Sequence, residues 1–257
     1  MATSRSAGRS GNLPSVLRME DTRPLSIRRG FDDTKVWIFD LDNTLYPSAC
    51  NLFAEVDRKM AEYIVRLLDV PIEHARYLQK SYYHDYGTTL TGLVKLHKID
   101  PHDFLEFVHD IDLSALEPAP ELERVIASLP GRRIIFTNGS RVHAERVAGK
   151  LGVLHLMEDI CDIAACEFVA KPSPDAFDRM VRRHGVAPGE AAMFEDMPQN
   201  LEAPHTLGMT TVLVHSDYDD HRAQAQIRKW RTLPDHIHHA TDDLTGFLES
   251  YSAVPDK

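Results

Sequence analysis

The sequence predicts an α/β protein: a parallel sheet covered by helices on both faces, interrupted once by an all-helical insertion. Three observations predict it. Short apolar runs rich in β-formers end abruptly at polar or acidic residues around 35–40, 133–137, 191–195 and 210–214, as strands buried on both faces do. Stretches with helical spacing separate these runs, the alternation expected of parallel crossover units. Between the first run and the second, residues 48–116 carry helical spacing.

Residues 1–30 are rich in Ser, Arg and Gly, with no sustained hydrophobic period, and read as a flexible N-terminal extension. Six arginines against Glu20 and Asp21 make it basic. A transit peptide shares that composition, but a plain tail is the preferred reading. The α/β core is expected over 31–47 and 117–257, with the first strand at Lys35-Val36-Trp37-Ile38-Phe39-Asp40. Over 48–116 one helical face collects Leu52, Val56, Met60, Tyr63, Ile64 and Leu67, and another Phe104, Leu105 and Val108. Leu116-Glu117-Pro118-Ala119-Pro120 closes this helical module with a stiff linker, because each proline fixes its φ and restricts its predecessor. Helices are then expected near 121–129, 141–151, 174–184 and 198–207, with a weak strand around 160–164. Pro204 inside the last of these helices predicts a kink.

The 257 residues are 43% hydrophobic and 26% charged, which suits a globular chain and not a disordered one. A net charge of -10 argues against a nucleic-acid polymer or an anionic membrane as partner. No apolar run approaches the roughly 20 residues of a membrane span, and the N-terminus lacks a signal-peptide core, so a cytoplasmic location is expected. Cys50, Cys161 and Cys166 suggest incidental thiols rather than a disulfide framework or a zinc site.

The chemistry gathers at the strand ends, where ligands bind in parallel sheets. After the first strand come Asp40-Leu41-Asp42-Asn43-Thr44. Two carboxylates so spaced can face one crevice, and a hard cation such as Mg²⁺ would relieve their repulsion. Alone, the pair is equally a turn or a helix cap. Phe136-Thr137-Asn138-Gly139-Ser140 after the second strand offers a hydroxyl, an amide and a close-approaching backbone for an anion, or simply a turn with Ser140 as N-cap. Ala170-Lys171-Pro172-Ser173-Pro174 restrains a lysine before a helix starting at Pro174. Glu195-Asp196 ends the next strand. Acids, hydroxyl, lysine and acids at successive strand ends are improbable by chance.

These four motifs, in this order from about 35 to 215, resemble the phosphatase branch of the haloacid dehalogenase superfamily. The resemblance implies a Rossmann-like sheet in order 3-2-1-4-5 with the insertion as a mobile cap. It further implies Asp40 as nucleophile and Asp42 as general acid and base, with Thr137, Asn138 and Lys171 binding the phosphoryl group. Mg²⁺ would be held by Asp40, Asp42 through its backbone carbonyl, and Asp196, with Glu195 nearby. Asp42 favours phosphoryl transfer over dehalogenation, since a departing halide needs no proton.

Leu45-Tyr46-Pro47 and Tyr86-Gly87-Thr88-Thr89-Leu90-Thr91-Gly92-Leu93 resemble the pyrimidine 5'-nucleotidase subgroup. That resemblance implies UMP or CMP as substrate, with Tyr46, Tyr86 and Thr88 as candidate contacts to base or ribose. Packing of the cap is the competing reading for each tyrosine. Phosphoglycolate or sugar phosphates are the alternative substrates; a phosphosugar mutase or a non-catalytic binding relative is further off. Met197-Pro198-Gln199 departs from the subgroup pattern, which leaves open a retuned pocket. Asp235-His236-Ile237-His238-His239 reads as an adventitious surface cluster beyond the sheet, and Tyr218-Asp219-Asp220-His221 as a solvated loop.

Overall fold

The computed structural model describes residues 29–216, 218 and 223–252. Of the N-terminal extension only Arg29 and Gly30 fall among them, and residues 219–221 of the expected loop lie outside them.

Strand β1 (Val36–Phe39) is buried at every position. Fully enclosed side chains such as Ile38 and Phe39 each favour folding by about 1.5–3 kcal/mol over exposure. The chain then turns through a short 3₁₀ segment, Ser48–Cys50, into α1 (Leu52–Leu68), α2 (Ile72–Tyr86), α3 (Thr89–His97) and α4 (Pro101–His109). These helices occupy the stretch where the insertion is expected. Leu52, Val56, Ala61 and Ile64 form the buried stripe of α1, which packs on α2 and α4. Thr88 caps α3 by accepting from Thr91 N, and Asp100 caps α4 ahead of Pro101.

The core resumes with α5 (Pro120–Ser128), β2 (Arg132–Phe136), α6 (Arg141–Leu151), β3 (Asp159–Cys161), α7 (Pro174–His184) and β4 (Ala191–Glu195). It ends with α8 (Glu202–Leu207), β5 (Thr210–Val214), α9 (Gln224–Ile227), β6 (His239–Thr241) and α10 (Leu244–Ser252). All strand pairs are parallel, in the order β3-β2-β1-β4-β5-β6. Successive strand residues face opposite sides. Trp37, Phe39, Ile135, Phe194 and Val212 enter one apolar layer; Val36, Ile38, Ile134, Met193 and Leu213 enter the other. The register aligns the strand ends: Phe39 pairs with Ile135 on one side and Phe194 on the other, so Asp40 stands level with Phe136 and Glu195.

The expected order 3-2-1-4-5 is present and continues into a sixth strand, β6, which pairs with β5. Two expectations are corrected. The histidine stretch is not a surface cluster beyond the sheet. His238 is buried, with its Nδ1 accepting from Thr211 N at 3.0 Å, and His239 opens β6. His238 Nδ1 and His239 Nε2, the latter 2.6 Å from the Arg29 carbonyl, are both engaged within the fold. Pro204 does not kink a long helix, because a 3₁₀ turn, Pro198–Leu201, precedes α8 and leaves the proline in the helix's first turn. Amides there have no intrahelical acceptor to lose. Among the described residues no helix is long and apolar enough to cross a membrane. All three cysteines are free.

Gly92 shows what the cap sequence is constrained by. A Cβ at this position would lie 2.5 Å from Tyr82 Cβ, so the glycine lets α3 approach α2 closely. Gly92→Ala is therefore expected to destabilise the protein by about 1–3 kcal/mol, as overpacking does. Urea unfolding of the two proteins measures it.

Candidate active site

Because β1 lies between β2 and β4, their carboxyl ends bring three of the motifs together. Asp40 follows β1, Thr137 follows β2, and Glu195 ends β4 with Asp196 next. The fourth motif arrives from the loop before α7: Lys171 is 2% exposed despite its charge. Its Nζ donates to Asp40 Oδ1 at 2.6 Å, to Glu195 Oε2 at 2.7 Å and to the Phe136 carbonyl at 2.9 Å. An ammonium has three protons, and all three are used. Asn138 fixes the lysine's backbone, its Oδ1 accepting from Lys171 N at 2.8 Å and its Nδ2 donating to Lys171 O at 3.1 Å. Contact with a ligand from position 138 is thus left to the backbone rather than the side chain.

The turn after β1 arranges the acids. Leu45 N donates to Leu41 O, a helical bond that stacks residues four apart. Thr44 Oγ1 accordingly donates to Asp40 Oδ2 at 3.1 Å, and Tyr46 OH donates to Asp42 Oδ1 at 2.6 Å. His143, from the first turn of α6, lies with Nε2 2.9 Å from the same Asp42 oxygen. Thr137 Oγ1 accepts from Gly139 N at 2.9 Å. Glu195 Oε1 accepts from Asn200 Nδ2 at 2.8 Å and Met197 N at 3.3 Å, so both its oxygens are engaged.

Charge decides what this cluster can hold. Asp40, Glu195 and Asp196 each offer an oxygen within 4.8 Å of the others. One ammonium serves this group of buried acids, which leaves an excess of negative charge that a hard divalent cation would offset. Glu195 and Asp40 both accept from Lys171, and each has its second oxygen engaged, Glu195 by Asn200 and Asp40 by Thr44. Burial, reinforced by the neighbouring Glu195, pushes the Asp40 carboxyl up to about 7 against the pull of Lys171. Burial also raises Glu195, to about 7. Lys171 is itself raised: burial disfavours its charge, but Asp40 and Glu195 outweigh that cost. Asp42 moves the other way, to about 2, because His143 and then Tyr46 overcome its desolvation.

A cavity opens above the acids, between the sheet ends and the inserted helices. Asp40, Asp42, Thr137, Asn138, Lys171, Glu195 and Asp196 all line it, as does Thr88. Its far wall is apolar, with Phe53, Val56, Met60, Leu90, Phe104 and Val108. Tyr46 and Tyr86 are not among the lining residues. Tyr46 is buried beneath Asp42, and Tyr86 packs edge-on to Tyr82 with Lys95 over its ring. The tyrosine that does line the cavity is Tyr83, whose hydroxyl accepts from Gln199 Nε2 at 3.4 Å across the gap between cap and core. Thr88 spends its hydroxyl oxygen on the cap of α3. Thr44, His109 and His143 were not anticipated. The spacing of four residues from Asp40 to Thr44 was a readable signal for the first, but His109 and His143 reach the site only through tertiary packing.

A parallel sheet that gathers carboxylates and a buried lysine at its strand ends, with a helical insertion closing over them, defines a capped α/β enzyme. The chain belongs to the haloacid dehalogenase-like hydrolases, whose family model matches residues 34–208. It is 28% identical over 197 residues to Phosphate metabolism protein 8 of Saccharomyces cerevisiae, a match covering 70% of this chain and 61% of the yeast protein. It is likewise 28% identical over 198 residues to a glyceraldehyde 3-phosphate phosphatase of Methanopyrus kandleri, covering 70% and 83%. The crystal structure of a HAD phosphatase from Thermococcus onnurineus shares the fold, with a TM-score of 0.55 at 18% identity over 85% of this chain and 98% of that one.

The acid cluster predicts a pH-dependent stability with a definite sign. A carboxyl raised from 3.8 to about 7 favours the folded state when protonated, and that advantage is lost as pH rises through 7. In chelated buffer Asp40→Asn should therefore be more stable than the wild type at about pH 8, by on the order of a few kcal/mol. The difference should shrink toward zero near pH 4. Denaturant unfolding at the two pH values, with and without Mg²⁺, tests this.

Proposed function

We propose that the protein is a Mg²⁺-dependent phosphomonoesterase acting through an aspartyl-phosphate on Asp40. The observation that carries this reading is the placement of the Asp40 carboxylate at the floor of the cavity, beside Lys171, with Asp42 held separately two residues on. An Asp40 oxygen attacks phosphorus, the bond from phosphorus to the ester oxygen breaks, and Asp42 delivers a proton to the departing oxygen. Asp42 then takes a proton from water as that water attacks the phosphorus. This releases inorganic phosphate and restores Asp40. Thr137 Oγ1, the backbone around Asn138 and the charge of Lys171 hold the phosphoryl oxygens. Asp40, Asp196 and the Asp42 carbonyl would hold the Mg²⁺, which supplies charge neutralisation for the phosphoryl group.

For the leaving group we infer an uncharged body, and specifically a pyrimidine nucleoside 5'-monophosphate such as UMP or CMP. Lys171 is the sole lysine or arginine among the residues lining the cavity, so a second anionic group on the substrate would lack a partner. That argues against phosphoglycolate. Gly87 to Leu90, from the segment resembling the nucleotidase subgroup, line the cavity together with Tyr83, and aromatic and aliphatic surfaces suit a base. The glyceraldehyde 3-phosphate phosphatase among the relatives keeps small sugar phosphates as the second reading.

Two measurements test the proposal. Phosphate release should require Mg²⁺, stop with EDTA, and fall by about four to six orders of magnitude in Asp40→Asn, as removal of a covalent nucleophile does. Retained turnover in that variant would defeat the mechanism. In a panel of UMP, CMP, phosphoglycolate, phosphoserine and sugar phosphates, kcat/KM should be highest for the two nucleotides. Preference for any other member overturns the substrate assignment but leaves the chemistry intact.

A further inference from the structure

We propose that His143 is the positioning residue for Asp42, and that it acts from a histidine pair joining the cap to the core. The inference rests on the phosphomonoesterase reading. His143 is 0% exposed and places Nε2 2.9 Å from Asp42 Oδ1, the oxygen to which Tyr46 also donates. Two anchors on one carboxylate oxygen fix the side chain's torsions. The other oxygen, which has no such contact among the described residues, is left for proton transfer in the cavity that Asp42 lines.

The pair is built, not incidental. The ring of His109, the last residue of α4 in the cap, stacks on His143 with centroids 4.3 Å apart and planes 11° from parallel. His109 Nδ1 lies 2.9 Å from Ser140 Oγ, and Ser140 Oγ in turn accepts from His143 N. Arg146 of α6 holds the end of α4 by donating to the carbonyls of His109 and Ile111 at 2.7 and 2.8 Å.

Packing alone does not account for the imidazole, because His143 Nδ1 is buried without a hydrogen-bond partner among the described residues. An unsatisfied buried nitrogen costs stability, and an apolar side chain of similar volume would avoid the cost. What the imidazole supplies in exchange is a donor to Asp42. Because the lower ring belongs to the cap, the orientation of the proton-transfer group is tied to the cap's seat on the core.

The test compares His143→Gln with His143→Met, side chains of matched length of which only the first keeps a donor. With UMP, whose leaving oxygen must be protonated, the Met variant should lose about 100-fold in kcat with KM within about threefold of wild type, and the Gln variant should recover at least tenfold of that loss. With 4-nitrophenyl phosphate, whose leaving group departs unprotonated, the Met variant should release the first equivalent of nitrophenolate within about threefold of the wild-type rate. A slow steady state should follow, because Asp42 must still activate water. Equal losses in the two variants, an equal loss in the first turnover of both substrates, or an effect on KM alone overturns the positioning role. If the Met variant does not fold, His143→Ala with added imidazole decides, and absence of rescue counts against the proposal. Asp40→Asn run alongside separates the two levels. If it is inactive while both His143 variants match wild type, only the positioning role falls; if it remains active, the parent mechanism falls too.

Discussion

Three buried charges on one side-chain network set the architecture of this site: Lys171 between Asp40 and Glu195. Each contact is 2.6–2.7 Å long, and none of the three residues is more than 6% exposed. Burying such groups is expensive, and hydrophobic residues of similar volume commonly give equal or better stability. The network is therefore poorly explained as a stabilising device. It does fix geometry, because it ties together the ends of β1, β2 and β4 and the loop before α7 through one nitrogen. The parallel register that levels Asp40 with Phe136 and Glu195 is the condition for that nitrogen to reach all three acceptors.

The inserted helices complete what the sheet begins. They contribute an apolar wall rather than further charge, so the field inside the cavity is set by the core acids, Lys171 and whatever cation accompanies them. A dry wall strengthens those interactions by lowering the local dielectric. Polar links between cap and core among the described residues include Tyr83 to Gln199 and His109 through Ser140 and Arg146, both at the cavity, and Tyr218 to Asn51. Gln199 belongs to the Met197-Pro198-Gln199 segment that departs from the subgroup pattern. Its amide now has a defined task at the seam.

How much of this the sequence announces depends on the range of the determining interactions. The strands and α6 and α7 were legible because continuous apolar runs, an N-capping Ser140 and a leading Pro174 are local signals. β6 was not, since His239-Ala240-Thr241 is short, half-buried and held by pairing with β5 rather than by its own pattern. The histidines before it were misread for the same reason. The subgroup resemblance implied Tyr46 as a contact to base or ribose; a single helical turn directs its hydroxyl to Asp42. His143 stands 101 residues from its partner in the chain, and nothing in its neighbourhood distinguishes it from a histidine on an amphipathic helix.

The two aspartates of the first motif, two residues apart, lie in environments that differ in the way the proposed mechanism requires. Asp40 sits in the desolvated well and is pushed toward neutrality at about 7, whereas Asp42, held by His143 and Tyr46, is drawn down to about 2. Pairs of acids whose environments diverge in this way divide their roles. The direction is wrong for Asp42 as a proton donor until the substrate's own charge is included. A phosphate dianion delivered beside it acts as a like charge and raises its affinity for a proton, while a cation beside Asp40 does the opposite there. On the proposed mechanism substrate and cation would thus exchange the two protonation states: Asp40 would be freed as the nucleophile and Asp42 would be loaded as the acid. Once phosphate departs, the hydrogen bonds from His143 and Tyr46 return Asp42 to the anion.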